Sequence, residues 1–463
     1  MIAVTRQSQN RVARVIGVVS GGVCHYCSVA SFSGKRSHDR PHPLARHGRL
    51  RRSRAVGAVF RTIAIALAVV LVSTVAVAGI AVTRLTSSIQ SGVHLSHVNG
   101  ATAPPGIAAI SGGVNLLLVG TDTRTGQGGE FSSKDQLAGS SGAGNNDVTI
   151  LLHIAQDHRS AMVVSFPRDL ILNLPPCPSP NGGYYPASSN RMLNATLSRG
   201  GLACPVLTIE KLTGITIPYA ASISFDGVAA MSNAVGGVTV CVAHSIKDPY
   251  TGSFLSAGDH TLQGGDALAF VRSRHGVGDG SDLGRISNQE VFLSALARKI
   301  ESDGVLKNPL ELYSLASAAA HNMQLSDSLS GLDTMVSLAL ALKGVPLENI
   351  VMIQYPSGSS AAFPNRVVPV PGLDAAVNNA LVNDLAVQLT GKPGRGAVLS
   401  TAPPVAPTPT PTPTATTGGK PVQAKEKGGI DRTPPPVTNL TTLSAAITGQ
   451  NAAQQTCSNG SSK

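Results

Sequence analysis

Tryptophan is absent from the 463 residues, and aromatic residues make up only 3%. A core built from this chain must therefore be aliphatic. Several catalytic signatures are missing too. There is no GxxxxGK[ST] phosphate loop, no GxSxG elbow and no HExxH zinc motif. His244, His260, His275 and His321 are scattered without ligand spacing and read as surface or structural residues. A Ser–His–Asp hydrolase has no support. No repeat of solenoid period is found.

Positive charge goes unbalanced at the N-terminus. Residues 1–62 hold twelve Lys/Arg and a single acid, Asp39, which accounts for the whole net charge of +11. The rest of the chain is neutral. A nucleic-acid partner is therefore not expected. The basic block precedes "IAIALAVVLVSTVAVAGIAV", residues 63–82, twenty residues without a charge. Roughly 20 apolar residues span a bilayer core. Arg49, Arg51, Arg52, Arg54 and Arg61 flank it on the N-terminal side. Lys/Arg excess marks the cytoplasmic side, so a single-pass cell-membrane protein is expected, with its N-terminus cytoplasmic and the remainder extracellular. A cleaved signal peptide is the alternative; its apolar region is ordinarily shorter, about 7–15 residues.

Of the six cysteines, Cys24 and Cys27 form "CHYC" in the basic tail. One CxxC with one His falls short of the four ligands zinc takes, and the pair reads as incidental. Cys177, Cys204, Cys241 and Cys457 lie on the side where disulfides persist. Cys204 and Cys241 are the expected pair, although four cysteines allow three connectivities.

Five regions are expected: a disordered basic cytoplasmic tail over 1–55, a membrane helix over 56–83, a stalk over 84–112, a folded domain over 113–390, and a Pro/Thr-rich disordered tail over 391–463. Within the domain, "VNLLLVG" (114–120), "DVTILLHI" (147–154) and "SAMVVSFP" (160–167) read as buried strands, the last two adjacent. "GGVTVCV" (236–242), "ALAFVRSR" (267–274) and "IVMIQYP" (350–356) read as further strands. Helices are expected over 204–214, 283–302, 335–344 and 372–389. Strands mixed with helices argue for an α/β domain with one sizeable core.

Charged residues collect at strand ends, where open α/β sheets bind ligands. "GTDTR" supplies Asp122 and Arg124, "NND" supplies Asp147, and "SFPRD" supplies Arg168 and Asp169. "RMLNA" offers Arg191 and Asn194 at the start of a helix. If "ALAFVRSR" is a strand, Arg272 and Arg274 share a face. In the next helix, Asp282, Arg285 and Gln289 share another. Arginine forks match phosphate oxygens bidentately, and a few carboxylates among them suit a magnesium diphosphate. The bland alternative is a set of surface ion pairs, with Asp122 a turn former and Asp226 a helix cap.

Taken in order, "GTDTR … ND … SFPRD … RMLNA … EKLTG … FDG … GGV … ALAFVRSR … DLGRISNQ" resembles the LytR-CpsA-Psr family over about residues 113–390. The resemblance implies an α-β-α sandwich around a mixed central sheet, preceded by one transmembrane helix. It implies an enzyme that is a phosphotransferase, moving a glycopolymer from a polyprenyl-pyrophosphate carrier to peptidoglycan, with membrane lipid as a further partner and Mg2+ as cofactor. Carried over by position, Asp122 and Asp147 are metal-binding. Arg124, Arg168, Arg272, Arg274 and Arg285 contact pyrophosphate, and Arg191 stands where relatives often have lysine. Asn194 belongs to the substrate-binding set, and Asp282 and Gln289 complete the helix motif. Asp122 or Asp169 is the candidate base. Asn145 and Asn146 depart from the arginine and hydroxyl residue of many relatives, so one phosphate contact is expected to be lost. The competing readings are a prenyl-pyrophosphatase and a non-catalytic polyprenyl-phosphate-binding protein.

Overall fold

The computed structural model describes residues 55–88, 92–97, 113–125, 142–302, 309–400 and 439–461. Ala55–Ser88 is one helix. Its stretch Val59–Val77 has a mean hydropathy of 2.3 and is, among the described residues, the segment long and apolar enough to cross a membrane. By compactness the chain divides into Met1–Val70 and Leu71–Lys463. The sheets and the candidate site belong to the second unit.

Its centre is a seven-stranded sheet in the order Met323–Leu325, Tyr219–Ile223, Val114–Thr121, Asn146–Ile154, Ala161–Phe166, Ile350–Gln354, Gly449–Asn451. The sheet is mixed: Val114–Thr121 runs parallel to Tyr219–Ile223 and antiparallel to Asn146–Ile154. Period-two alternation sends successive side chains to opposite faces. Leu117, Leu151, Val164 and Ile353 pack on one face with the helices Ala203–Thr213 and Leu373–Val382. Leu116, Leu152, Ala161 and Met352 pack on the other with Leu332–Lys343 and with Leu293 of the helix Asp282–Ser302. Two aliphatic cores flanking one sheet make the expected α-β-α sandwich.

A second sheet has the order Gly258–Leu262, Val238–His244, Thr456–Asn459, Ala397–Leu399. It corrects the expectation of a disordered tail over 391–463. Residues 391–400 and 439–461 are folded: Gly449–Asn451 extends the central sheet and Thr456–Asn459 enters the second. The Pro/Thr run between them, 401–438, lies outside the described residues. Composition read over the whole stretch hides two short pairing segments at its ends. The stalk expectation is likewise narrowed, because Val93 bridges Ser326 and Leu95 is buried. The remaining stalk residues 89–91 and 98–112 lie outside the described residues, as do the CHYC pair and the basic tail through 54.

Three further expectations change. The disulfides are Cys177–Cys204 and Cys241–Cys457, not Cys204–Cys241. The last helix stops at Val382, and Val387–Leu389 is a strand. "ALAFVRSR" is mostly helix, Gly264–Arg272. Short apolar runs carry no period long enough to separate strand from helix. Here Asp266 in the first turn favours the helix dipole, while Ala267 and Phe270 pack into one cluster.

A buried polar network ties the C-terminal segment to the helix Asp282–Ser302. Gln450 Nε2 donates to Ser294 Oγ (2.7 Å) and to the Glu290 carbonyl (3.2 Å). Gln354 Nε2 donates to Ser287 Oγ (2.8 Å) and Glu290 Oε2 (3.2 Å). Glu290 is fully buried, and desolvation pushes its pKa up to about 8 against one opposing hydrogen bond from Gln354. The folded state therefore keeps a proton that the unfolded chain has already released. Its contribution to stability is fully present below the ordinary carboxyl value and is lost as pH rises through about 8. Glu290→Gln should flatten that slope and raise the Tm at pH 8. Parallel Tm–pH curves for the two proteins would rule out a buried neutral Glu290.

Candidate functional site

The loop after the first strand is clipped to the segment that opens the second. Thr121 Oγ1 donates to the Ala143 carbonyl at 2.7 Å. Asp122 accepts from the Asn145 amide (2.6 Å) and from Asn145 Nδ2 (3.0 Å). Gly144 has φ 71°, and a Cβ there would meet Thr123 N at 2.5 Å, so this close approach requires glycine. Asn145 thus serves as the partner of Asp122. Asn146 is buried, its amide donating to the Asn194 carbonyl at 2.8 Å. The amide of Asn194 in turn donates to the Arg168 carbonyl at 3.0 Å. These contacts fix the strand ends that carry Asp147 and Arg168.

Arg168 Nη1 meets Asp147 Oδ1 at 2.9 Å, and Arg285 Nη2 donates to the Asp147 carbonyl at 2.7 Å. Arg285 pairs with Asp282 at 2.6 Å, both mostly buried. Burial opposes the charge of Arg168, yet Asp147, by charge and hydrogen bond, and then Asp282 and Asp169 outweigh it and raise its pKa. The guanidinium therefore stays charged. Arg168 Nε, 3.5 Å from Asp282 Oδ1, and Arg285 Nε are buried and make no hydrogen bond among the described residues.

These groups lie at one end of a cavity of about 510 Å³. Arg168, Arg272, Arg274, Arg285, Asp147 and Gln289 line it. One carboxylate on the wall stands against four guanidinium groups, so the lining carries excess positive charge. The helix Asp282–Ser302 forms one side: Arg285 and Gln289 come first, then Phe292, Leu293, Leu296 and Ile300. That stripe has helical spacing, and at 1.5 Å per residue it runs for about 22 Å. The polar end gives way to an apolar groove closed by Ile223, Leu268, Val271 and Met323. The spacing of Leu293, Leu296 and Ile300 identifies a buried helix face, but not the hollow beside it.

Arg272 ends the helix Gly264–Arg272, and its guanidinium lies 4.2 Å from the Phe225 ring centre; Arg124 lies 5.3 Å from the same ring. Phe225 lines the cavity, so Arg124 approaches it without being part of the wall. Arg272 and Arg274 reach the cavity from a helix end and the loop beyond, not from one strand face. Asp282 backs Arg285 from behind the wall. Asp169 points elsewhere, 3.5 Å from Arg366, and Asp122 holds Asn145. Neither candidate base lines the cavity. Arg191 is exposed on the strand Ser188–Met192 rather than at a helix start. Asp226 sits in the first turn of Phe225–Ala234, whose cap is Ser224.

Among the described residues no group of three or more His, Cys, Asp or Glu side chains could hold a metal alone. Magnesium on a diphosphate needs only one or two protein carboxylates, with phosphate oxygens and waters completing its shell. Asp147 on the wall fits that requirement; Oδ1 is shared with Arg168, and Oδ2 takes no hydrogen bond among the described residues.

The LytR_cpsA_psr family model matches residues 80–378. The cell wall biosynthesis protein LcpA of Corynebacterium glutamicum is 29% identical over 267 residues, covering 54% of this chain and 51% of LcpA. The polyisoprenyl-teichoic acid–peptidoglycan teichoic acid transferase TagT of Bacillus subtilis is 28% identical, covering 52% of this chain and 68% of TagT. A solved LytR-Csp2A-Psr enzyme from Actinomyces oris aligns with a TM-score of 0.46 at 24% identity, over 63% of this chain and 96% of that one. The chain spans about half the length of LcpA.

Proposed function

The chain belongs to the LytR-CpsA-Psr family, and from that premise we propose that it transfers an anionic glycopolymer from a polyprenyl-pyrophosphate carrier to peptidoglycan. The name of its relative TagT supports the reaction class. The observation that carries the reading is the joining of four arginines to a long apolar groove in one cavity. A prenyl pyrophosphate has that same polarity, a multiply charged head on a hydrocarbon chain.

In the proposed reaction a peptidoglycan hydroxyl attacks the phosphorus bonded to the glycan. The bond from that phosphorus to the bridging oxygen breaks, and prenyl phosphate leaves with the electron pair. Arg168, Arg272, Arg274 and Arg285 hold the phosphoryl oxygens as charge spreads over them. Asp147, the carboxylate on the wall, would take the hydroxyl proton or hold Mg2+. Bound magnesium would supply further neutralisation of the diphosphate. The basic N-terminal block supports a cytoplasmic tail. Two disulfides in the second unit support an oxidising, extracellular setting for the domain.

The test uses the full chain in phospholipid nanodiscs with a synthetic prenyl-pyrophosphate glycan, peptidoglycan and magnesium. Glycan covalently joined to peptidoglycan, with prenyl phosphate released in step, is the expected result. Prenyl phosphate released without joined glycan means water is the acceptor and replaces this reading with a pyrophosphatase. Binding without release leaves a carrier-binding protein.

A further inference from the structure

Asp248 is not singled out by its sequence context, "IKDPYTG". It ends the short strand Ile246–Asp248, which pairs with Ser253–Leu255. Its carboxylate is completely buried, yet it makes no ion pair among the described residues. Instead Oδ2 accepts three hydrogen bonds: from Ser273 Oγ (2.9 Å), the Arg274 amide (2.8 Å) and the Gly276 amide (3.2 Å). Oδ1 accepts a fourth, from the Tyr250 amide at 3.1 Å. Burial alone would raise the pKa of Asp248, but the Arg274, Ser273, Gly276 and Tyr250 donors together pull it below the ordinary value. A carboxylate is thus stabilised where a buried charge would otherwise be costly.

All three Oδ2 donors belong to one four-residue stretch, Ser273 to Gly276. It starts directly after Arg272 and contains Arg274. Gly276 permits the approach, since a Cβ there would come within 2.8 Å of the Lys247 carbonyl. Asp248 itself does not line the cavity, whereas Tyr250 and Thr251, just beyond it, do. The stretch is held on its other flank as well: the Ser461 amide donates to the Gly276 carbonyl at 2.8 Å, and the Gly278 amide to the Asn459 carbonyl at 2.8 Å.

We propose that Asp248 is a positioning residue for the anion site, its buried carboxylate fixing the Ser273–Gly276 backbone and thereby aiming the Arg272 and Arg274 guanidinium groups into the cavity. This rests on the reading that those arginines hold a prenyl pyrophosphate. An asparagine cannot replace the carboxylate. It offers one acceptor oxygen, and in either orientation its NH2 faces at least one of the four donors.

The experiment measures geranylgeranyl pyrophosphate binding to the full chain in nanodiscs. The variants are Asp248→Asn, Arg274→Ala, Arg168→Ala and the two doubles that combine Asp248→Asn with each arginine change. Asp248→Asn is expected to weaken binding about tenfold, the further loss shrinking below about threefold in the Arg274→Ala background but staying about tenfold in Arg168→Ala. A purely structural role predicts the same further loss in both backgrounds, and that result overturns the proposal. So does unchanged affinity in Asp248→Asn. If Arg274→Ala itself binds normally, the pyrophosphate reading has failed, and this proposal with it. Hydrogen exchange supplies an independent check: the Arg274 and Gly276 amides should exchange faster in Asp248→Asn, while the helix Asp282–Ser302 keeps its protection. Should Asp248→Asn not fold, Ser273→Ala removes one donor and undergoes the same paired comparison, with a loss of about threefold expected.

Discussion

Arg272→Ala is expected to lower glycopolymer transfer by about 10²–10³-fold, the range seen when one preorganised donor to a developing oxyanion is removed. The fold should survive. Arg272 is the last residue of its helix and half-buried, and its contacts include the face of Phe225 at 4.2 Å. Losing that ring contact costs about 0.5–2 kcal/mol, too little by itself to unfold the domain. Arg272→Lys should not restore full activity, because an ammonium keeps the charge but loses the planar fork. Transfer rates and Tm are measured on the same full-length preparations. Near-normal transfer by Arg272→Ala would remove the residue from the proposed chemistry.

Removing the Cys241–Cys457 disulfide should produce the largest loss of stability. The bridge closes 216 residues of sequence, against 27 for Cys177–Cys204. On chain-entropy grounds a native disulfide contributes about 2–5 kcal/mol, and the longer loop gives roughly 2 kcal/mol more than the shorter one. The double change Cys241→Ala and Cys457→Ala should therefore depress Tm further than Cys177→Ala with Cys204→Ala. There is a local consequence too. Cys457 lies in the strand Thr456–Asn459, paired parallel to Val238–His244, and the residues just after it hold Gly276 and Gly278. Loosening this segment should weaken prenyl-pyrophosphate binding before the domain unfolds. Equal Tm losses for the two disulfides, with binding unaffected, would contradict both expectations.

Much of the central sheet is legible in the sequence because its strands alternate or run apolar over six or more residues. Val114–Thr121, Asn146–Ile154 and Ala161–Phe166 match their sequence readings within about two residues. The helix Gly264–Arg272 reads as a strand because nine residues rich in Ala, Leu, Phe and Val fit either period. The strands Gly449–Asn451 and Thr456–Asn459 are three and four residues long. Strands that short carry no pattern of their own; they exist because an exposed sheet edge and Cys241 receive them.

The site divides in the same way. Arginines at strand and helix ends announce themselves, and Arg168, Arg272, Arg274 and Arg285 do share one cavity. Asp169 and Arg191 look equivalent in the sequence but face other surroundings, since a motif gives residue types and not directions. Asp248 is silent because its role depends on backbone amides 26 and 28 residues away.

By itself the sequence determined the apolar span, the α/β class and the residue types available to meet an anion. These follow from local composition and period, which short-range physics writes directly into the chain. Only the tertiary structure decided which arginines converge, which cysteines pair, and that one helix face borders a groove rather than a filled core. Those outcomes depend on contacts between residues far apart in sequence, where the energy lies in packing and hydrogen-bond geometry that no local pattern encodes.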